Sequence, residues 1–404
     1  MTDTQPHLVC GPVRVTWNPD DSVKTITYKG QPLSTTLRNE IRSSAQVQAC
    51  HDLTYEQGNI IRGLLKSIAK LPQTEKRKKI NLADEIFKHF DKEFESFDPK
   101  KSERFWREII YLVWGWEGYH EKVYKGTPYF LMAKTYLQLG DVPSAYICFF
   151  NALEEDRNNL LCVQENFKDR PAYLTTSLVN NSNNPLHKEV VVMLRGYLQG
   201  FIESYNKRMM SDFTILDLDQ KFLQAESLED FKRLFVANFH EIFHLDPLNR
   251  SQMIKNDYSK LKVSSTFFNI ALIVDQILEY RFLKNVDESQ RTMGKAIHQL
   301  AFHLKWTTKE DSPRLKDFLK KICPNLKEGT PDVTLHALLD GTATYNGRPL
   351  DFRMRAIFAV YYLRNYAAHH IVGCNILVDK YFDILEIVMD AFFTSVESLQ
   401  IHQA

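Results

Sequence analysis

From about residue 35 to the end of the chain, apolar side chains recur every three or four positions, the spacing that gathers them on one face of an α-helix. Pro and Gly mostly fall between those segments, where they end helices instead of breaking them. A large sheet would need alternation at every second residue. Such alternation is found in "LVCGPVRVTWNPDDSVKTITYKGQPL". Val13, Val15 and Trp17 alternate, Asn18-Pro19-Asp20-Asp21 turns, and Val23, Thr25, Thr27 and Tyr28 resume, which reads as a β-hairpin. The expected fold is therefore mainly α, with strands only around residues 10 to 30. Three regions follow: a hairpin over 1–34, a region of helical hairpins over 35–225 and a helical bundle over 226–404.

Within the last region the periodicity predicts long helices over about 230–245, 265–284, 291–305, 351–372 and 377–400, the last two joined by a short break at Gly373-Cys374-Asn375. Residues 306–350 are richer in Lys, Asp, Gly and Pro and read as an inserted or linking stretch.

In "TPYFLMAKTYLQLGDVPSAYICFFNALEEDR" two short amphipathic helices flank Gly140-Asp141, and Ala133, Ala145 and Ala152 alternate with Tyr129, Tyr136 and Phe149. Small residues let paired helices approach, and large ones interlock. The order Ala133, Tyr136, Gly140, Ala145, Phe149, Ala152 resembles a tetratricopeptide (TPR) repeat, with Arg157 where proline is common. One repeat cannot bury its own face, so degenerate neighbours are expected in residues 82–120 and 186–207. Upstream, the aromatics of "FWREIIYLVWGWEGYHEKVY" fall at helical spacing and are expected to pack in the core, with a base-stacking platform as the alternative. The basic run Glu75–Lys79, "EKRKK", reads as a solvated helix end or loop, with a nucleic-acid contact as the alternative.

Lys plus Arg number 51 against 50 for Asp plus Glu, a formal charge of +1 that excludes a global field drawing the chain to nucleic acid or membrane. Any nucleic-acid contact must be local. The six cysteines show no CxxC pair, which fits neither a disulfide framework nor a cysteine zinc site and suits a reducing, cytoplasmic setting. No run looks close to the roughly 18 apolar residues of a membrane span, and the N-terminus lacks the form of a signal peptide. No cofactor and no membrane partner are expected.

Two motifs compete for the chemistry. "FHEIFHL" matches HExxH through His240, Glu241 and His244. Two histidines four apart on one helix face can grip zinc, with the glutamate activating a bound water. A third ligand is needed; Glu279 is the geometric candidate, but no HExxHxxGxxH pattern follows, and two partly buried structural histidines are the plainer reading.

The second motif lies in "YYLRNYAAHH". Asn365 and His369 are four residues apart and stack on one helix face, while Arg364 is offset by about 140° from His369, within reach of a long side chain; His370 points elsewhere. Arginine binds phosphate through two parallel hydrogen bonds, and histidine transfers protons near neutral pH, a pairing suited to phosphodiester chemistry.

Arg364-Asn365-Tyr366-Ala367-Ala368-His369 is RNxxxH, and over roughly 230–402 the chain resembles HEPN domains (higher eukaryotes and prokaryotes nucleotide-binding), whose motif sits in the penultimate helix of such a bundle. The resemblance implies a metal-independent endoribonuclease acting on single-stranded RNA, in which the substrate's 2′-OH attacks phosphorus to leave a 2′,3′-cyclic phosphate. His369 would be the general acid or base, Arg364 the phosphate clamp and Asn365 the residue orienting His369. It further implies a homodimer with the two motifs in one cleft, and control by a protein partner or ligand through the TPR-like part, a combination that resembles prokaryotic antiviral defence or stress systems. Some such domains bind without cleaving, so a non-catalytic helical scaffold is the alternative.

Overall fold

The computed structural model describes residues 7–46, 55–94, 98–160, 164–250, 257–322, 331–367 and 376–399. It is mainly α with a small four-stranded antiparallel sheet at the N-terminus. The chain divides into two compact units, Met1–Leu186 and His187–Ala404, a boundary that falls inside the stretch assigned from sequence to helical hairpins.

The first unit opens with β1 (His7–Cys10), β2 (Val13–Trp17), β3 (Val23–Tyr28) and β4 (Gln31–Pro32), paired in that order. The predicted hairpin is β2–β3; the outer strands were missed because β1 is short and Val9 is exposed, while β4 is two residues long. Val13, Val15 and Trp17 are buried and Arg14 is exposed, so one face of the sheet is core. Lys29 and Gly30 both take positive φ (48° and 79°), the geometry of a tight two-residue hairpin turn. The helix α1 (Leu33–Gln46) follows, and α2 (Tyr55–Lys70) crosses the sheet so closely that a Cβ on Gly63 would meet Val13 Cγ2 at 3.2 Å.

Next come α3 (Lys76–Phe94), α4 (Pro99–Glu117), α5 (Gly126–Gln138), α6 (Val142–Leu160) and α7 (Pro171–Thr176). Asp98 caps α4, accepting from the Lys100 and Lys101 amides ahead of Pro99. The helices α5 and α6 form the expected hairpin: Gly140 takes φ +76°, and Ala133, Ala145, Ala152 and Phe149 have no exposed surface. The aromatic segment of α4 divides. Phe105 and Trp106 are core as expected, but Tyr111 and Trp114 are exposed, because they lie off the face of α4 that buries Phe105, Trp106, Ile109, Ile110 and Val113, and Tyr119, beyond the end of the helix, is exposed as well.

A buried polar network ties this unit together. Arg170 Nη2 donates to Asp84 Oδ2 (2.8 Å) and to the Tyr124 hydroxyl (2.7 Å); Tyr124 donates to Asp156, and Thr127 to Asp84. A Cβ at Gly126 would collide with the Tyr124 hydroxyl and with Asp156, so only glycine fits at the start of α5. Burial raises the Asp156 carboxyl to about 6, opposed by Arg170.

The second unit contains α8 (Val192–Met209), α9 (Ile215–Leu218), α10 (Glu229–Arg250), α11 (Asp257–Leu283), α12 (Met293–His303), α13 (Ser312–Ile322), α14 (Pro331–Leu339), β5 (Thr344–Tyr345), β6 (Arg348–Pro349), α15 (Phe352–Ala367), α16 (Ile376–Asp379) and α17 (Tyr381–Glu397). The described residues of 306–350 thus hold two helices and a two-stranded ribbon. These strands lie outside the expected 10–30, being too short to show alternation. The helix α8, where a repeat neighbour was expected, packs on α17, α10 and α15.

At the centre runs α11, packed against α10, α12, α15 and α17. Its stretch Leu261–Leu283 is apolar and long enough to cross a membrane, contrary to the expectation that no run would be, and 61% of it is buried inside the unit. Phe267, Ile270, Ile273, Val274, Ile277 and Leu278 share one broad face of this helix and are buried, the face that the neighbouring helices cover. Phe235 of α10 stacks on Phe392 of α17, centroids 4.0 Å apart, closing the core on the other side.

Candidate functional site

Arg364 and Asn365, which open RNxxxH, stand near the C-terminal end of α15. Tyr362 and Leu363 are buried and fix the roll of the helix, which leaves Arg364 and Asn365 at the edge of the core. The Arg364 side chain is 35% exposed, and its Nε lies 2.7 Å from Oδ2 of Asp275. Asp275 comes from the middle of α11 and is itself fully buried. The guanidinium is therefore in ion-pair contact with a buried carboxylate, at a side chain that is part-exposed. The Asn365 amide nitrogen donates to the Tyr361 carbonyl (2.7 Å), one turn back on its own helix. His369 and His370 lie outside the described residues.

Asp275 was not singled out from the sequence, although a signal was present: it is a carboxylate in the middle of the otherwise apolar "FFNIALIVDQILEY". Burial raises its carboxyl to about 7; Arg364 opposes the rise, and Glu279, one turn further along α11, reinforces it. A buried carboxylate beside a half-exposed arginine costs stability. Because the folded-state pKa lies above the usual 3.8, this group's contribution to stability is complete below about pH 4 and declines as pH rises through about 7. Asp275→Asn is thus expected to gain stability relative to wild type between pH 4 and 8, by on the order of 3 kcal/mol. Urea denaturation of both proteins across that range measures the difference, and a gap independent of pH would contradict it.

The HExxH residues have other partners. His240 of α10 is buried, and burial with the nearby His244 pushes its imidazole down to about 3, so it is neutral at physiological pH. The His240 and His244 rings face each other with centroids 5.2 Å apart. Glu241 forms an ion pair with Lys262 at 2.7 Å. Glu279, the candidate third ligand, acts on Asp275 instead. Among the described residues no group of three or more His, Cys, Asp or Glu side chains is placed to hold a metal ion.

What the arrangement at Arg364 can do is bind an anion. The Nε side is held, the two remaining guanidinium nitrogens form a planar fork, and a phosphate can accept from both. No family model matches the chain, and no curated protein or solved structure is significantly similar to it.

Proposed function

We propose that the protein is a metal-independent endoribonuclease that cleaves single-stranded RNA, with Arg364, Asn365 and His369 as its active-site residues. The observation that carries this reading is the pairing of half-exposed Arg364 with fully buried Asp275. A helix that needed only to pack would gain more from apolar residues at both positions. Here a core helix spends a buried carboxylate on fixing one guanidinium at the surface, five residues before a histidine.

In this mechanism Arg364 holds the scissile phosphate and stabilises the charge that grows on its oxygens as the 2′-OH attacks. Asp275 positions the arginine without touching substrate. His369 takes the 2′-OH proton or delivers one to the departing 5′ oxygen. The cleavage leaves a 2′,3′-cyclic phosphate on one fragment and a 5′-hydroxyl on the other. The cleft is shared by two copies of the chain, and the TPR-like hairpin of the first unit receives the controlling partner.

The test is incubation of purified protein with single-stranded RNA, with and without EDTA, followed by analysis of the product ends. Cleavage that survives chelation and yields cyclic phosphate ends is expected, since no metal activates the nucleophile. Cleavage abolished by EDTA would overturn the mechanism. Binding of RNA without turnover would leave the helical scaffold as the better reading.

A further inference from the structure

The first unit carries two adjoining cavities, of about 290 and 280 Å³, both lined by the segment that joins α4 to α5. They share Lys122, Val123 and Asn159. Their combined size falls within the range of small-molecule sites. Their chemistry differs from one end to the other.

One cavity is basic. It is lined by Lys76, Lys79 and Lys122 together with Gln73, Tyr124 and Glu121. Lys76 through Lys79 fill the first turn of α3 with four consecutive cations, and no acidic residue accompanies them there. That is the end of a helix where the backbone dipole disfavours positive charge and favours an anion. Arg77, Lys78 and Lys79 are answered by Glu165, by Asp21 and Glu75, and by Glu121 respectively. Among the described residues, no ion pair engages Lys76 or Lys122, which reach the cavity from two different segments. Two lysines converging on a hollow at a helix N-terminus suit a phosphate group.

The other cavity is lined by Asn151, Asn158 and Asn159, by Glu154 and Glu155, and by the Tyr129 ring. Its carboxylates repel a second anionic group, whereas amides and carboxylates together accept from and donate to amines and hydroxyls. The segment that lines both cavities is held rigid. The Val123 amide donates to Glu117 Oε1 (2.8 Å), and Lys125 Nζ donates to Glu117 (2.6 Å) and to the Val123 carbonyl (2.9 Å). The Tyr124 hydroxyl is locked between Asp156 and Arg170. A groove so fixed does not have to be ordered when a ligand enters.

We propose that this groove binds a nucleotide, its phosphates at Lys76 and Lys122 and its base and ribose against the asparagine and glutamate wall. The site does not rest on the ribonuclease reading, since binding is measured without RNA turnover.

Isothermal titration of the full chain with ATP, GTP and AMP, and separately with inorganic phosphate and a short single-stranded RNA, tests the proposal. Saturable binding of at least one nucleotide is expected, weakened about tenfold or more in Lys76→Glu/Lys122→Glu and unchanged in Lys100→Glu, a reversal on exposed α4. Inorganic phosphate should bind far more weakly than that nucleotide. Should the double reversal lower the melting temperature, Lys76→Gln/Lys122→Gln, which removes charge alone, decides. No saturable binding at millimolar nucleotide, equal affinity in the charge-removed variant, or RNA or inorganic phosphate binding as tightly as any nucleotide would each overturn it.

Discussion

Replacing His369 with alanine is expected to slow RNA cleavage at least about 100-fold, the loss typical when a general acid or base is removed. Arg364→Lys should impair cleavage on a comparable scale while keeping the charge. A lysine presents one ammonium, so it cannot both sit against Asp275, as the arginine Nε does at 2.7 Å, and offer a planar fork to phosphate. Asp275→Asn separates positioning from chemistry. In wild type the ion pair with Arg364 requires the Asp275 anion, whose carboxyl is raised to about 7, so cleavage is expected to rise with pH through neutrality. In Asp275→Asn that rise should flatten while cleavage itself persists at a lower level. His240→Ala serves as the contrasting variant: its ring is buried and neutral, and the variant should cleave normally once its folding is verified. Single-turnover rates for the four variants, each with its melting curve, check the set. Full activity in His369→Ala, or loss of activity in His240→Ala with wild-type melting behaviour, would refute the assignment.

The second large effect concerns stability of the first unit. Arg170→Ala is expected to cost about 3–5 kcal/mol at pH 7, the loss typical of removing one partner from a buried ionic group. The Asp84 and Asp156 side chains are 7% and 4% exposed, so neither can recover its solvation by turning to water. The effect has a pH signature. The Asp156 carboxyl, already raised to about 6 with the arginine present, rises further without it. The deficit of the variant should then be smallest in acid, where the carboxyl is protonated in both proteins, and should widen as pH increases past about 6. Arg170→Lys should restore only part of the loss, because one ammonium can donate to Asp84 and Tyr124 as Nη2 does but cannot also present a second nitrogen to Asp156, which the guanidinium meets through Nε at 3.6 Å. Chemical denaturation at pH 5 and pH 7.5 measures both terms, and an Arg170→Ala variant as stable as wild type at pH 7.5 would show the network to be dispensable.

Helices were legible wherever apolar spacing was long and strongly periodic, as in α10, α15 and the α5–α6 hairpin, because side-chain period alone reports which face is buried. The sheet was legible only at its centre. The strands β4, β5 and β6 are two residues long, and their pairing is set by turns and neighbours instead of alternation. The aromatics of α4 follow the same period when read by face: Phe105 and Trp106 share the buried side with Ile109, Ile110 and Val113, while Tyr111 and Trp114 lie off it and are exposed.

For the candidate site, the sequence by itself determined the residue types and their spacing along the chain: an arginine and an asparagine, which fall in the last turns of α15, a histidine four residues after the asparagine, and a separate HExxH on another helix. Only the tertiary structure decided what stands against them. It brought Asp275 under Arg364 from 89 positions away in the chain. It set Lys262 against Glu241 and buried His240. It also gathered Asp84, Tyr124, Asp156 and Arg170 into one network. Charge pairing acts through space and depends on burial, and neither the distance nor the dielectric surroundings of two residues is written in their separation along the chain.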